Sequence, residues 1–307
     1  MDDLTMLREF RAEAPASAPA DLWRRAVRDA ATPTRESRTV ARRGRWVVVG
    51  AAATVAAVAA ALVLVPGSTP TSAAAVLDRA ALALAAAPAP PDPGPHQWIY
   101  QRTVHLDATT GKPGTHFGYG WWRMDGELAA DRMPDGDVHV QSLESWPVGT
   151  PQQWYAVVTA LPQHPADVIE YLRDDPLYES DGASQADRDF DEVTQALTAQ
   201  TLVPPASRAR LYLALATIPG VGVDEHAAPD LVGRPVLSIT YTGDLSLGRA
   251  GDRWELLLDP SSYDVLGLRG TAGSDIDLGD VVVHSGTVWF EYALLDYRLV
   301  DAAGDTA

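Results

Sequence analysis

The spacing of hydrophobic residues changes character three times along this chain. Trp46 to Val65 (WVVVGAAATVAAVAAALVLV) is an apolar run of twenty residues with no charge and a single hydroxyl, at Thr54. At about 1.5 Å rise per residue a helix of that length reaches roughly 30 Å, the thickness of a bilayer's hydrocarbon core. The run therefore predicts one transmembrane helix. Ahead of it, Leu4, Leu7 and Phe10, then Leu22, Trp23, Ala26 and Val27, recur at near-helical spacing and predict two short helices separated by AEAPASAPA. Behind it, Ser72 can cap a helix whose stripe is Val76, Leu77, Ala80 and Leu84, ended by the Pro-rich stretch 88–95.

From residue 96 the period falls to two, the signature of strands. Residues 97–107, 116–124, 127–133 and 137–145 read as an antiparallel meander turning at GKPG and Asp125-Gly126. A helical insert over 165–217 follows, with helices at 165–172, 190–202 and 205–217, the last opened by Pro205 at its first turn. Strands then return at 231–242, in a hairpin over 253–270 turning at Asp259 to Ser262, at 280–284 and at 286–301. In the last of these Val288, Phe290, Tyr292 and Leu294 alternate with Trp289, Glu291, Ala293 and Leu295, so both faces are apolar. A curved sheet wrapped around helices accounts for that.

Charge orients the pattern. Arg35, Arg38, Arg42, Arg43 and Arg45 precede the apolar run, and nothing charged follows it before Asp78. The positive-inside rule then puts the N-terminus in the cytoplasm. A cleaved secretory signal is the competing reading, with small residues around Ala73 to Ala75, but a 45-residue polar segment ahead of the run and its length argue against it. The expected architecture is α+β, in four parts. Residues 1–45 form a cytoplasmic helical head and basic tether, 46–65 the transmembrane helix, and 66–95 an extracytoplasmic helix and linker. Residues 96–307 form an extracytoplasmic curved antiparallel sheet, a half-barrel packed with helices.

Residues 1–45 carry ten arginines against seven acids, net +3, which leaves −20 on residues 66–307 of the chain's −17. So acidic an outer domain disfavours nucleic acid as a partner and is repelled by anionic head groups. The absence of cysteine excludes disulfides, thiolate zinc and thiol catalysis. A single lysine (Lys112) and no asparagine match the product of a GC-rich bacterial genome.

No motif for chemistry stands out, and neither an enzyme, a metal site nor a cofactor is expected. The seven histidines never occur at i, i+4, and neither G-x-S-x-G nor a P-loop is present. Asp187, Asp189 and Asp191 have the odd spacing of a calcium loop, but Glu192 stands where its glycine belongs. They read instead as a solvated helix N-terminus whose acids complement the dipole. Trp98, Tyr100, Trp121, Trp122, Trp254 and Trp289 admit two readings, the core of the sheet or the wall of a concave apolar cleft, bounded by 98–122 and 205–217, for an acyl chain or peptide. The head has too few large apolar residues to fold a core alone; its helices stay unfolded, lie on the bilayer, or fold on a partner through Leu4, Leu7, Phe10, Leu22, Trp23 and Val27.

Several stretches carry a resemblance: VLDRAA at 76–81, LPxxPxxVxxYL at 161–172, LVPPxxRxxLYxALAxIPGV at 202–221, DLVGR at 230–234 and ELLLDPSSYDVLG at 255–267. Over most of residues 70–300 the chain resembles actinobacterial single-pass membrane proteins encoded beside extracytoplasmic-function sigma factors, with a LolA-like or RseB-like half-barrel outside. The opening LREFRAEAPASAPADLW is similar to that family's short cytoplasmic head. The resemblance implies an anti-sigma-like regulator whose head binds a sigma factor while the outer domain senses the envelope. The His-x3-Cys-x2-Cys zinc motif of the better-known anti-sigma domain is absent. The alternative is a membrane-anchored binder of an apolar envelope lipid or lipoprotein, with no sigma factor partner.

Overall fold

A computed structural model describes residues 72–107, 111–133, 136–143, 149–178, 180–199, 201–246, 248–277 and 282–306. The expected head and transmembrane helix lie outside them. Among the described residues no helix is long and apolar enough to cross a membrane.

The order of elements is α1 (Ala73–Ala85), β1 (Trp98–Asp107), β2 (Lys112–Arg123), β3 (Leu128–Arg132), β4 (Val138–Ser142), α2 (Pro151–Thr159), α3 (Pro165–Arg173), a 3-10 turn (Pro176–Tyr178), α4 (Gln185–Thr198) and α5 (Pro205–Leu215). Then come β5 (Gly222–Asp224), β6 (Leu237–Gly243), β7 (Asp252–Leu258), β8 (Val265–Thr271), β9 (Ile276–Asp277), β10 (Val282–Val283) and β11 (Val288–Val300). Local chemistry sets most boundaries. The Ser72 hydroxyl accepts from Ala75 N–H and starts α1 as expected, and Pro205 opens α5. Four segments differ from the sequence-based expectation. Lys112 to Gly114 of GKPG, expected as a turn, already belong to β2, with Lys112 paired to Asp107 and Pro113 to Leu106. The helical insert begins earlier, with α2, because Thr150 and Gln153 form a reciprocal capping box. Helix α4 starts at Gln185 rather than Phe190 for the same reason, Ser184 and Asp187 capping each other. Residues 231–235 are not strand: the Asp230 carboxylate takes the backbone N–H groups of Val232 and Arg234, which closes a turn.

Nine strands form one open antiparallel sheet in the order β4-β3-β2-β1-β11-β8-β7-β6-β5, and the short β9-β10 hairpin stands apart from it. The sheet is two meanders joined by one strand. β11 pairs with β8 over Val288 to Ala293 and with β1 over Tyr292 to Val300, so the halves are offset along it and share only two residues. Past that overlap β8 and β11 part. The Arg234 guanidinium spans the opening, donating to Leu294 O at 2.9 Å and Leu266 O at 3.3 Å. Gly267 lets the strands approach there, since a Cβ would collide with the Tyr292 carbonyl.

The main core lies between the helices and one face of the second meander. Ile239, Tyr241, Trp254, Leu256, Leu258 and Leu268 meet Leu77 of α1, Val168 and Leu172 of α3, Phe190 and Val193 of α4 and Leu211 and Leu215 of α5. Phe190 stacks on Tyr241 at 4.5 Å, and the Tyr212 hydroxyl is buried and donates to Tyr263 O at 2.7 Å. Each such side chain stabilises the fold by about 1.5–3 kcal/mol through burial. The opposite face of this meander is covered by the loop between β5 and β6, which a buried ion cluster holds down. Arg269 pairs with Glu291 at 2.8 Å and Glu255 at 3.6 Å and donates to the carbonyls of Ala228 and Pro229. Glu291 in turn accepts from Leu231 N–H.

Candidate functional site

The six aromatic residues considered for an apolar cleft do not meet in one place. Trp98, Tyr100 and Trp121 pack with Ala130 and Val300; Tyr100 and Trp121 stack at 5.1 Å. The Trp121 indole N–H donates to Asp305 O at 2.8 Å, so the C-terminal tail closes over this cluster. Trp122 lies on the other face of the same sheet, with Ile99, Met124, Ala129 and Tyr155. Trp254 is fully buried in the main core, edge-on to the half-buried Trp289 at 5.9 Å. Side chains of successive strand residues point to opposite faces, so Trp121 and Trp122 could never have lined one wall. Helix α5, expected as the facing wall, packs against α1, α3 and α4. The head residues Leu4, Leu7, Phe10, Leu22, Trp23 and Val27 lie outside the described residues.

A polar cleft of about 550 Å³ opens instead where α3 hands over to α4. Its walls are Arg173 at the end of α3, Asp174 and Asp175 just after it, Tyr178 on the 3-10 turn, and Gln185, Arg188 and Glu192 on α4. Residues 185, 188 and 192 fall on one stripe of α4 while Phe190, Val193 and Leu197 face the core, so the helix that fills the interior also presents the cleft.

Asp187, Asp189 and Asp191 are not a solvated helix start. All three are buried, and each has its own partners. Asp187 takes the Tyr241 hydroxyl at 2.9 Å and the Ser184 N–H at 2.8 Å; Asp189 holds Arg173 through two bonds of 2.8 Å; Asp191 accepts from the hydroxyls of Ser180 and Ser246. Asp187 and Asp191, four residues apart, share a face and meet Tyr241 near the end of β6 and Ser246 just after it, while Asp189 points away to Arg173 at the end of α3. Burial would raise the Asp187 carboxyl, but the hydrogen bonds from Ser184 and Tyr241 outweigh it and hold it below the usual range. The long-range partners Tyr241 and Ser246 leave no trace in the local pattern of α4. Only the S-x-x-D cap at Ser184 was there to be read.

Glu192 is the exception among these acids. It is 5% exposed, lines the cleft, and its Oε2 has no hydrogen-bond partner. Burial first, then the neighbouring Asp189 charge, pushes its carboxyl up to about 7, with Asp191 adding and Arg173 and Arg188 opposing. The hydroxyl of Tyr178, another residue of the cleft lining, is likewise buried without a partner, and burial raises its pKa too. Arg173 is held by Asp189, and Arg188 by Gly182 O and the Gln185 side chain, each at 2.8 Å. Two residues that line the cleft thus each carry a buried polar atom without a partner, which makes it the candidate site, and among the described residues no group of three or more His, Asp or Glu is arranged to hold a metal.

Comparison with protein-family models, with curated proteins and with solved structures gives no match. Fold and site define a class only: an α+β protein built on a large open antiparallel sheet, with a polar cleft on its helical side.

Proposed function

We propose that this chain is a single-pass membrane regulator of the anti-sigma type. The head, residues 1–45, binds an extracytoplasmic-function sigma factor in the cytoplasm, residues 46–65 cross the membrane, and the α+β domain, a half-barrel of the LolA-like or RseB-like kind, reads a condition of the envelope. The basic flank before an uncharged twenty-residue run and the resemblance of residues 70–300 support the topology and the role. One structural observation favours this reading over a lipid or lipoprotein carrier. The aromatic side chains considered as the wall for an acyl chain are divided among separate cores, and the cleft between α3 and α4 is lined mostly by charged and polar residues. Co-purification tests it: the full chain in detergent should retain an extracytoplasmic-function sigma factor expressed from the same genome, and a chain lacking residues 1–45 should not. If none of that genome's sigma factors is retained, the proposal is overturned.

A further inference from the structure

We infer that the cleft between α3 and α4 is a binding site for a small organic ligand carrying an ammonium group, seated on the Glu192 carboxylate and the Tyr178 hydroxyl. The inference rests on the outer domain being the sensing half of the regulator proposed above, and it supplies the class of molecule sensed.

Geometry comes first. Glu192 Oε2 and Tyr178 Oη are both buried, both without a hydrogen-bond partner, and both on residues that line the cleft. Native interiors rarely leave such atoms unmatched, and a carboxylate is matched by a donor, most strongly by a charged one. An ammonium group carries several N–H donors, suited to a carboxylate and to a phenol oxygen alike.

The charges around the seat select the same sign. Among the residues lining the cleft, the carboxylates of Asp174, Asp175 and Glu192 stand against the guanidiniums of Arg173 and Arg188, three to two. Arg173 is already matched by two bonds to Asp189, which removes it as a seat for an anion. A bare metal ion is disfavoured for another reason. The one buried carboxylate oxygen that lacks a partner among the described residues has no second or third acid converging on it, as a metal ion would need. The volume of about 550 Å³ lies within the range of small-molecule sites, so the ammonium carries an organic body.

Because the seat must be a carboxylate, binding follows the ionisation of Glu192. That group titrates with Asp189 and Asp191 pushing it up and Arg173 and Arg188 pulling it down, near pH 7. A cation should therefore bind more tightly on the alkaline side of neutrality than on the acid side.

Isothermal titration of the full chain in detergent, with no sigma factor present, tests the site. Three probes share a ring and differ in charge: cyclohexylamine, cyclohexanol and cyclohexanecarboxylate. Cyclohexylamine should bind saturably at one site at pH 8, and at least about tenfold more weakly in Glu192→Gln, the size expected for losing a charge-assisted hydrogen bond. It should weaken similarly at pH 5.5 in the wild type and stay unchanged with pH in the variant. Tyr178→Phe keeps the ring and should weaken binding a few-fold, which decides the matter if Glu192→Gln fails to fold. Equal amine binding in wild type and both variants, binding of the carboxylate probe instead, or no saturable amine binding overturns the inference. A negative titration leaves the co-purification with a sigma factor unaffected, and a failed co-purification leaves the titration readable, so the two ideas fail separately.

Discussion

Glu192 has its charge state set by the fold rather than by solvent. Its carboxyl rises from the ordinary 4.5 to about 7 through burial and the Asp189 charge. Between those values the folded chain holds a proton that the unfolded chain has released, so stability falls as pH rises through the window and levels off above it. The full effect is on the order of 3 kcal/mol, since a tenfold difference in proton affinity between the folded and unfolded chain is worth about 1.4 kcal/mol. Glu192→Gln carries the neutral shape permanently. It should therefore match wild type near pH 4.5 and exceed it by on the order of 1–3 kcal/mol at pH 8. Urea denaturation at the two pH values checks this, and equal stability at pH 8 would refute it. Asp187, Asp125 and Asp259 act in the opposite sense, their carboxyls held low by hydrogen bonds, so their contributions are present above the ordinary range and fade in acid. At this scale the sequence was only partly legible. The odd spacing of Asp187, Asp189 and Asp191 was plain, but whether water or Tyr241, Arg173 and Ser246 receives them depends on elements up to about 60 residues away. The Trp121-Trp122 pair was decidable from strand alternation alone.

At the scale of elements, β11 holds the sheet together, with β1 on one side and β8 on the other; its two apolar faces marked it as a strand of a curved sheet but not its place in the strand order, and most of its residues are half-buried. The loop between β5 and β6 was harder. LVGRPVLS looks like strand, and only the fold shows that Arg269, Glu255 and Glu291 are buried beneath that loop and hold it. Removing the central cation takes from Glu291 its only ion-pair partner among the described residues, leaving it the Leu231 N–H, and leaves Glu255 with Arg253 and Ser238. Arg269→Met should cost on the order of 3–5 kcal/mol. Arg298→Met, which removes a half-exposed partner of Asp296, should stay within about 0.5 kcal/mol. Thermal unfolding of the two variants side by side tests the contrast; similar losses in both would count against the cluster. The C-terminal tail makes a smaller contribution of the same kind. A chain ending at Val300 loses the acceptor of the Trp121 indole, Asp305 O, and the cover over Tyr100 and Trp121. It should lose about 1–3 kcal/mol and show red-shifted tryptophan emission.

At the scale of the whole molecule, the charge division makes topology the first thing to test. Residues 1–45 carry net +3 and residues 66–307 carry −20, and the basic flank should hold the head inside. Reporter fusions at Glu13 and Asp301 should be active on the cytoplasmic and external sides respectively; an externally labelled residue 13 reverses the arrangement. With that orientation the head becomes the decisive segment, and its energetics argue for a partner. Leu4, Leu7, Phe10, Leu22, Trp23 and Val27 each gain about 1.5–3 kcal/mol on full burial, roughly 9–18 kcal/mol gross. Ordering about 25 backbone residues costs about 1–2 kcal/mol each, which exceeds that gain, so a peptide of residues 1–45 should show little helix by circular dichroism alone. A sigma factor that supplies a groove adds its own contacts, as in other amphipathic helices seated in grooves, and helical signal should appear on mixing. Leu7, Phe10 and Trp23, which include the two aromatic residues of the stripes, are the expected anchors. A Leu7→Ala, Phe10→Ala, Trp23→Ala variant should lose micromolar binding, whereas Arg24→Ala on the polar stripe should keep most of it. Unchanged binding by the triple variant, or helix formed by the peptide alone, would defeat the head as a partner-folded element.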